Sequence, residues 1–551
     1  MAKQMKKKGV CILLAAATAL SLTACGSGSG ATAGEVESGT QAQSEQAPVE
    51  GTESVSQVNA TGYPVVDVPI ELDALTRVSV MSGDFNSMPV FVELAEKTNV
   101  NVNFDQIQPE VWDEKINLIL SSGELPDLIY GADMDASDIM KYGQAGYFLP
   151  LNDLIEEYAP NISRLLEERP NLARMITMDD GNIYNIPFYD EFLPENIPDT
   201  MFINQTWLDT LGLDMPTTTE EFYQVLKAFK EQDPNGNGIA DEIPFNFLPG
   251  EVNLGDYSLY GSFGVLDNAK HLMVKDGQVL FSLAQEGYKE AVKYLNRLYT
   301  EGLIDPEVFT QDRSQYSSKG KQDDMTVGVL VAYTPENFLG AERTYEHYTD
   351  LLPLEGPDGD RLWNRYDMGY YMGRVVITSA NPNPEATMRW IDEQFDEEVS
   401  VRLHWGEIGQ NIEKTETGWK VLDEAPDGMS SDEYRFQNSP AYHGTGAILK
   451  ETYDKIELAT DKAMKAERYE LYDPYAATEY LPAMRLSEDD EKEISTIFVD
   501  ISSYVDQMKA KWITGESNVE NDWEDYLKAL EKMNVSRYVE IYQNAYDASL
   551  E

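Results

Sequence analysis

Apolar and polar positions alternate and then switch period along the first third of the chain. Val78 and Val80 stand two apart in residues 77–81, the spacing of a strand. Residues 88–97 follow with Phe91, Leu94 and Ala95 on one helical face and Pro89 where a first turn accepts it. Val100, Val102 and Phe104 restore the strand period, residues 111–121 return to the helical one, and 125–130 form another short apolar run. Strand, helix, strand, helix, strand is the order of an α/β domain built on a largely parallel sheet. Further on, Thr218 with Glu221 predicts a capping box. It opens a helix whose stripe of Phe222, Val225, Leu226 and Phe229 is core, not ligand surface. Asn383-Pro384-Glu385 predicts another helix start, with Asn as N-cap and Pro in the first turn. The later half is helix-rich, dense in Tyr, Asp and Glu, and shows no internal repeat.

The first residues follow a different rule. Lys3, Lys6, Lys7 and Lys8 precede an apolar run at 10–20, about half the length a helix needs to span a bilayer. A basic start, a short apolar segment and small residues describe an export signal, expected over residues 1–24. Its end, Leu22-Thr23-Ala24-Cys25-Gly26, resembles the lipobox of bacterial lipoproteins. That resemblance implies lipidation of Cys25, palmitate included, and attachment to the outer face of the cell membrane through lipid alone. The alternative is an ordinary secretory signal with a chance cysteine. Cys11 lies within the signal, so the exported chain would hold no disulfide and no Cys cluster for metal. Residues 26–62 are rich in Gly, Ser, Ala, Thr, Glu and Gln, with no basic residue before position 62. With Cys25 they form an expected tether over 25–62, reaching on the order of 35 Å as a coil. Roughly 490 residues remain, which suits two or three domains. The formal charge of −55 excludes nucleic-acid binding, because such a chain repels phosphate backbones.

Several segments resemble family 1 of the extracellular solute-binding proteins, the sugar-capturing subunits of ABC importers, and within it the large alginate- and oligosaccharide-binding members. The resemblance lies in Ser122-Gly123-Glu124-Leu125-Pro126-Asp127, Gly146-Tyr147-Phe148-Leu149-Pro150-Leu151 and Asp180-Gly181-Asn182-Ile183-Tyr184-Asn185-Ile186-Pro187. It continues in Phe202-Ile203-Asn204, in Pro216-Thr217-Thr218-Thr219-Glu220-Glu221-Phe222, and late in Ile513-Thr514-Gly515 and Trp523-Glu524-Asp525-Tyr526. It implies a two-lobed α/β fold of the periplasmic-binding-protein type II, with hinge-linked lobes and the ligand cleft between them. Lobe 1 is then expected over 63–195 and 325–375 and lobe 2 over 196–324 and 376–551, with crossings near 190–200, 325 and 375. Carbohydrate as ligand, membrane permease subunits as partners and a monomeric state follow from the same resemblance.

Residues 233–242 carry the sharpest short motif. Asp233, Asn235 and Asn237 occupy positions 1, 3 and 5 and Gly238 position 6, the first half of an EF-hand loop that offers a calcium ion hard oxygen ligands. Position 12 is Pro244, so the usual bidentate Glu is missing. Glu242 could replace it, with Asp241 alongside and the Ile239 carbonyl as backbone ligand. The resemblance supports this reading, since alginate-binding members carry a shortened calcium loop. A structural Ca2+ is therefore expected; the alternative is a metal-free polar turn.

Sugar recognition needs aromatic faces for C–H surfaces and paired donors and acceptors for hydroxyls. Aromatics on turns near the expected crossings are the candidates: Tyr189 with Asp190, Tyr333 with Glu336, Trp363 with Arg365 and Tyr366, Trp405 with Glu407, and Trp112 at an early helix start. A surface glycoside hydrolase or lyase would need two poised carboxylates. No motif singles out such a pair, and HExxH, G-x-S-x-G and a Cys nucleophile are all missing from the chain, so no enzyme is expected. A sensory sugar-binding lipoprotein would keep the cleft and change the partner.

Overall fold

A computed structural model describes residues 58–59, 61–426 and 429–550. The expected signal, Cys25 and nearly all of the tether lie outside the described residues.

Two sheets organise the chain. The first has six strands in the order Gly446–Ile448, Ile186–Asp190, Tyr370–Ile377, Leu128–Tyr130, Ile70–Arg77 and Val100–Ile107. Its parallel half is the expected alternation of strands and helices. Ile70–Arg77 pairs with Val100–Ile107 in the register Leu72↔Val102, and with Leu128–Tyr130 in the register Ala74↔Leu128. Helix Pro89–Thr98 buries Val90, Phe91 and Leu94. Helix Pro109–Ser122 stops at Gly123, whose φ of 73° suits a residue without Cβ. The first strand lies earlier than the expected 77–81. Leu72, Ala74, Leu75 and Thr76 are the buried residues of that strand, whereas Val80 is 68% exposed. A two-residue alternation was too short to fix the element.

The second sheet has four strands in the order Tyr348–Leu351, Thr200–Asn204, Val327–Ala332 and Ile243–Asn246. Helix Thr219–Glu231 lies over it and begins with the predicted capping box. The Thr218 hydroxyl accepts from Glu221 N–H at 3.1 Å, and the Glu221 carboxylate accepts from Thr218 N–H at 3.2 Å. Phe222, Val225, Leu226 and Phe229 are buried as expected. The later helices Glu286–Thr300, Glu488–Thr514, Val519–Lys532 and Val535–Ser549 supply much of the same core, through Tyr288, Trp512, Trp523 and Tyr538. Helix Pro384–Glu393 has Pro in its first turn, but the Asn383 side chain makes no capping bond. Asn381 takes the corner instead: its Oδ1 accepts from Asn383 N–H at 2.8 Å and its amide donates to Thr387 at 2.9 Å.

Sheet pairing redraws the expected lobes. Val327–Ala332 bonds to Thr200–Asn204 and Ile243–Asn246, which places it in the second lobe, and Tyr370–Ile377 bonds within the first sheet. Trp390 and Leu403 then join the first lobe's core, and Tyr472 the second's. The chain passes between sheets in 191–199, in 352–369 and near 459. Crossings near 325 and 375 were expected in place of the last two. The cause is physical: Val327–Ala332 is buried at every position, so its apolar run carries no sign of which sheet it joins.

Candidate functional site

The lobes meet over strand ends, the place where open α/β sheets bind ligands. Phe188 and Asp190 stand near the carboxyl end of Ile186–Asp190, Asp133 follows Leu128–Tyr130, and Tyr333 follows Val327–Ala332. Antiparallel to the first of these, Tyr370–Ile377 brings Tyr371 and Arg374 to the same end. The register of that strand breaks between Tyr371 and Val375. Gly373 makes the break possible, with φ of 65° and the Met134 carbonyl oxygen 2.2 Å from where a Cβ would stand.

An aromatic and guanidinium cluster results, with Phe188, His404 and Trp405 buried and Tyr371 and Tyr442 partly exposed. Phe188 stacks on His404 at 5.2 Å and 14° and lies 5.5 Å from Tyr371. Tyr371 and Tyr442 are 5.4 Å apart, and His404 meets Tyr442 and Trp405 edge-on at 5.1 and 4.7 Å. The Arg435 guanidinium is 5.1 Å from the Tyr442 ring and 5.4 Å from the Trp405 ring. Arg374 lies 5.4 Å from the Tyr371 ring and pairs with Asp133 at 2.5 Å, and Arg77 holds the other oxygen of Asp133. From the second lobe, the Tyr333 hydroxyl donates to Glu195. Lys465 sits 4.1 Å above the Tyr333 ring and donates to the Ile197 carbonyl at 2.7 Å.

Several donors here are buried without a partner: Arg374 Nε, Arg435 Nε and Trp405 Nε1, together with Nδ1 of His404 and of His443. Each such group costs about 1–3 kcal/mol until a ligand or water pairs it. Burial also shifts charge. The Asp190 carboxyl is pushed up to about 7, because burial outweighs the bond it accepts from Tyr453 at 2.7 Å. Burial brings Lys465 down to about 7, and burial followed by Arg435 holds His404 well below its usual range.

The sequence candidates divide. Asp190, Tyr333 and Trp405 belong to this region, Trp405 as part of its buried backing, whereas Tyr366 lies on the second crossing with its hydroxyl near Asp199, Asp267 and Tyr257. Tyr189 borders it, packed 5.2 Å from Tyr370 and donating to Glu191 at 2.9 Å. Trp112 instead packs with Leu75, Ile116 and Ile129 in the first lobe's interior. Trp363 is buried in the second lobe, where its Nε1 donates to the Asp199 carbonyl at 2.7 Å. Arg365 pairs with Asp473 in the second lobe. Glu407 accepts from Arg402 at 2.7 Å, in a network that includes Glu93. Glu336 opens the short helix Glu336–Leu339, with no bond to the cluster. Phe188, Asp133, Tyr371, Arg374, Arg435, Tyr442 and Lys465 were missed. One signal was present: an Arg at the head of the apolar run Val375-Val376-Ile377 is a charge carried into a core strand, which needs a partner or a purpose.

The loop at 233–242 forms the expected tight turn. Asp233, Gly236 and Gly238 all have positive φ. The Asp233 carboxylate accepts from Gly238 N–H at 3.0 Å, and Asn237 Oδ1 accepts from Ile239 N–H at 2.7 Å. Asn235 and Asn237 both donate to Asp241, at 3.3 and 3.2 Å. Glu242 Oε1 is buried with no partner, and burial first, then Asp241 and Asp233, raises its pKa. A hard divalent cation would pair that oxygen and relieve the repulsion, so the donor set fits calcium. Among the described residues no three His, Cys, Asp or Glu side chains converge on their own. The set is a mixed one that draws on Asn oxygens and a backbone carbonyl.

The sequence profile of the bacterial extracellular solute-binding proteins matches residues 82–399. The fructooligosaccharide ABC transporter substrate-binding protein FusA of Streptococcus pneumoniae serotype 4 is 36% identical over 480 residues, 84% of this chain and 87% of FusA. The chain belongs to the bacterial extracellular solute-binding protein family. As a member of that family it captures a solute and is not an enzyme. Two solved structures are similar throughout. FusA in complex with kestose has a TM-score of 0.75 at 35% identity, covering 87% of this chain and 99% of that one. A FusA EF-hand mutant in complex with fructo-nystose has a TM-score of 0.74 at 34% identity, with the same coverage. The likeness bears out the two-lobed type II fold. Among the described residues no helix is long and apolar enough to cross a membrane.

Proposed function

We propose that this protein captures a fructooligosaccharide between its lobes and delivers it to the membrane permease subunits of an ABC importer, held at the membrane's outer face by lipid on Cys25. The observation that carries the reading is the partly exposed ring pair Tyr371 and Tyr442, backed by buried Phe188 and Trp405 and edged by buried unpaired donors on Arg374 and Arg435. Rings of this kind stack on the C–H faces of sugars, and guanidinium N–H groups pair with hydroxyl oxygens. Similarity to FusA over most of both chains supports the fructan class. Tyr189, Asp190, Tyr333 and Trp405 remain proposed ligand neighbours, joined by Tyr371, Arg374, Arg435 and Tyr442. Asp233, Asn235, Asn237, Asp241 and Glu242, with the Ile239 carbonyl, are the proposed holders of a structural Ca2+. Its chemistry there is charge neutralisation that fixes the turn between Thr219–Glu231 and Ile243–Asn246. The protein works as a monomer in this reading.

Thermal-shift and calorimetric titration with kestose, a maltooligosaccharide and oligogalacturonate tests the ligand class. Stabilisation by kestose alone, with the sugar recovered intact on chromatography, is the expected outcome. Preference for either other sugar would overturn the fructan assignment, and cleavage would overturn the binder.

A further inference from the structure

Sugar hydroxyls donate as well as accept, and the cluster described above is rich in donors. Most of its carboxylates are already spent. The two oxygens of Asp133 face Arg374 and Arg77, and Asp432 pairs with Arg435 at 3.3 Å. Asp190 is buried and accepts from the Tyr453 hydroxyl and from Phe192 N–H at 3.2 Å. Glu195 differs from these. One of its oxygens accepts from the Tyr333 hydroxyl. The other has no hydrogen-bond partner among the described residues and, in a half-buried side chain, is not shut off from solvent. The Tyr371 hydroxyl is in the same condition.

The backbone under Glu195 is fixed. It lies in the short 3-10 turn Leu193–Asn196 of the first crossing, with Pro194 in the first turn and Glu195 N–H donating to the Phe192 carbonyl at 3.0 Å. The second crossing grips the next residue. Tyr366 N–H donates to the Asn196 carbonyl at 2.9 Å, and Met368 N–H to Asn196 Oδ1 at 3.0 Å. From the second lobe Tyr333 holds the carboxylate. Its ring is backed by Lys465, which donates to the Ile197 carbonyl two residues beyond Glu195. From the first lobe, the hydroxyls of Tyr371, Tyr442 and Tyr453 lie close enough for the charge of Glu195 to act on each, behind the larger effect of burial. A free carboxylate oxygen therefore stands on the crossing, near the ring pair that carries the sugar reading.

We propose that Glu195 is the specificity-determining acceptor of the site, taking a hydrogen bond from a sugar hydroxyl beside Tyr371 and Tyr442, and that Tyr333 acts through it by holding the carboxylate in place. The proposal rests on the cleft reading above. A carboxylate only accepts, so the hydroxyl it meets must donate. A site built around such a contact rejects sugars that place no hydroxyl there, because the acceptor is then left unpaired. Tyr333 is a positioning residue in this arrangement: its O–H is used on Glu195 and its ring on Lys465.

The test is calorimetric titration of the full chain with kestose, comparing wild type, Glu195→Gln, Tyr333→Phe and the double variant. Thermal midpoints are taken without sugar, and titration is run below the lowest of them, so that lost folding is not read as lost affinity. Glu195→Gln keeps the shape of the side chain and should weaken binding about tenfold or more, the scale of a lost hydrogen bond to a charged acceptor. Tyr333→Phe should weaken it less, and should add little in the Glu195→Gln background, because both act on one contact. A merely structural Tyr333 would cost the same in both backgrounds, and that result, or Glu195→Gln binding within twofold of the wild type, would overturn the assignment. If the wild type ignores kestose but binds the maltooligosaccharide or oligogalacturonate, the fructan reading fails on its own, and the same comparison with that sugar still decides Glu195. Binding of none of the three would overturn both.

Discussion

Arg374 is buried within strand Tyr370–Ile377 and stands 2.5 Å from Asp133, with its Nε unpaired beside the Tyr371 ring. Burial lowers the Arg374 pKa and Asp133 raises it, so the pair keeps the charge where an apolar strand would otherwise reject it. An ion-paired cation with a free N–H beside an aromatic ring is a natural reader of a sugar hydroxyl.

Arg374→Met should therefore cost more than one hydrogen bond. Loss of the ligand contact and release of Asp133 should weaken kestose binding by about 2–4 kcal/mol, read as Kd by calorimetry. Affinity within threefold of the wild type would remove Arg374 from the site.

Tyr371→Ala and Tyr442→Ala remove stacking faces on either side of one contact. Each should weaken binding by about 1–2 kcal/mol, and the double variant should fall short of the sum because the rings touch. Full additivity in the titration would mean that the rings act separately.

Chelation should lower the midpoint of thermal unfolding, and added calcium should restore it. Glu242→Gln should blunt that response, since the buried unpaired Oε1 is the oxygen with most to gain from the ion. A wild-type midpoint indifferent to chelator would dismiss the metal.

Asp190 sets a pH dependence. Its folded pKa is raised from 3.8 to about 7, so the folded state holds the proton more tightly than the unfolded one. The associated stability is full below about pH 4 and is lost as pH rises to about 7. Asp190→Asn should remove that slope and gain on the wild type by on the order of 2–4 kcal/mol at pH 8, with little difference at pH 4. Denaturant melts at both pH values measure it, and parallel curves would contradict the burial argument.

Much of the fold was legible because it is local. The capping box at Thr218, the helix stops and the strand–helix alternation are decided by neighbours a few residues apart. The lobe boundaries were not, since the sheets that Val327–Ala332 and Tyr370–Ile377 join are chosen by distant partners. The site failed for the same reason. Trp112 and Trp363 carry the side chains a sugar site wants and spend them in cores, whereas Tyr442 and Arg435 reach the cleft from a late segment that no local pattern ties to Phe188. The calcium-loop candidate was readable because all its proposed ligands fall within ten consecutive residues.

Calorimetric titration of the full chain with kestose, in calcium, tests the central claim most directly. Saturable binding of one sugar per chain, weakened by Arg374→Met and by Tyr371→Ala while both variants unfold within a few degrees of the wild type, is the predicted result. Absence of heat with kestose, or binding untouched by both substitutions, would contradict it.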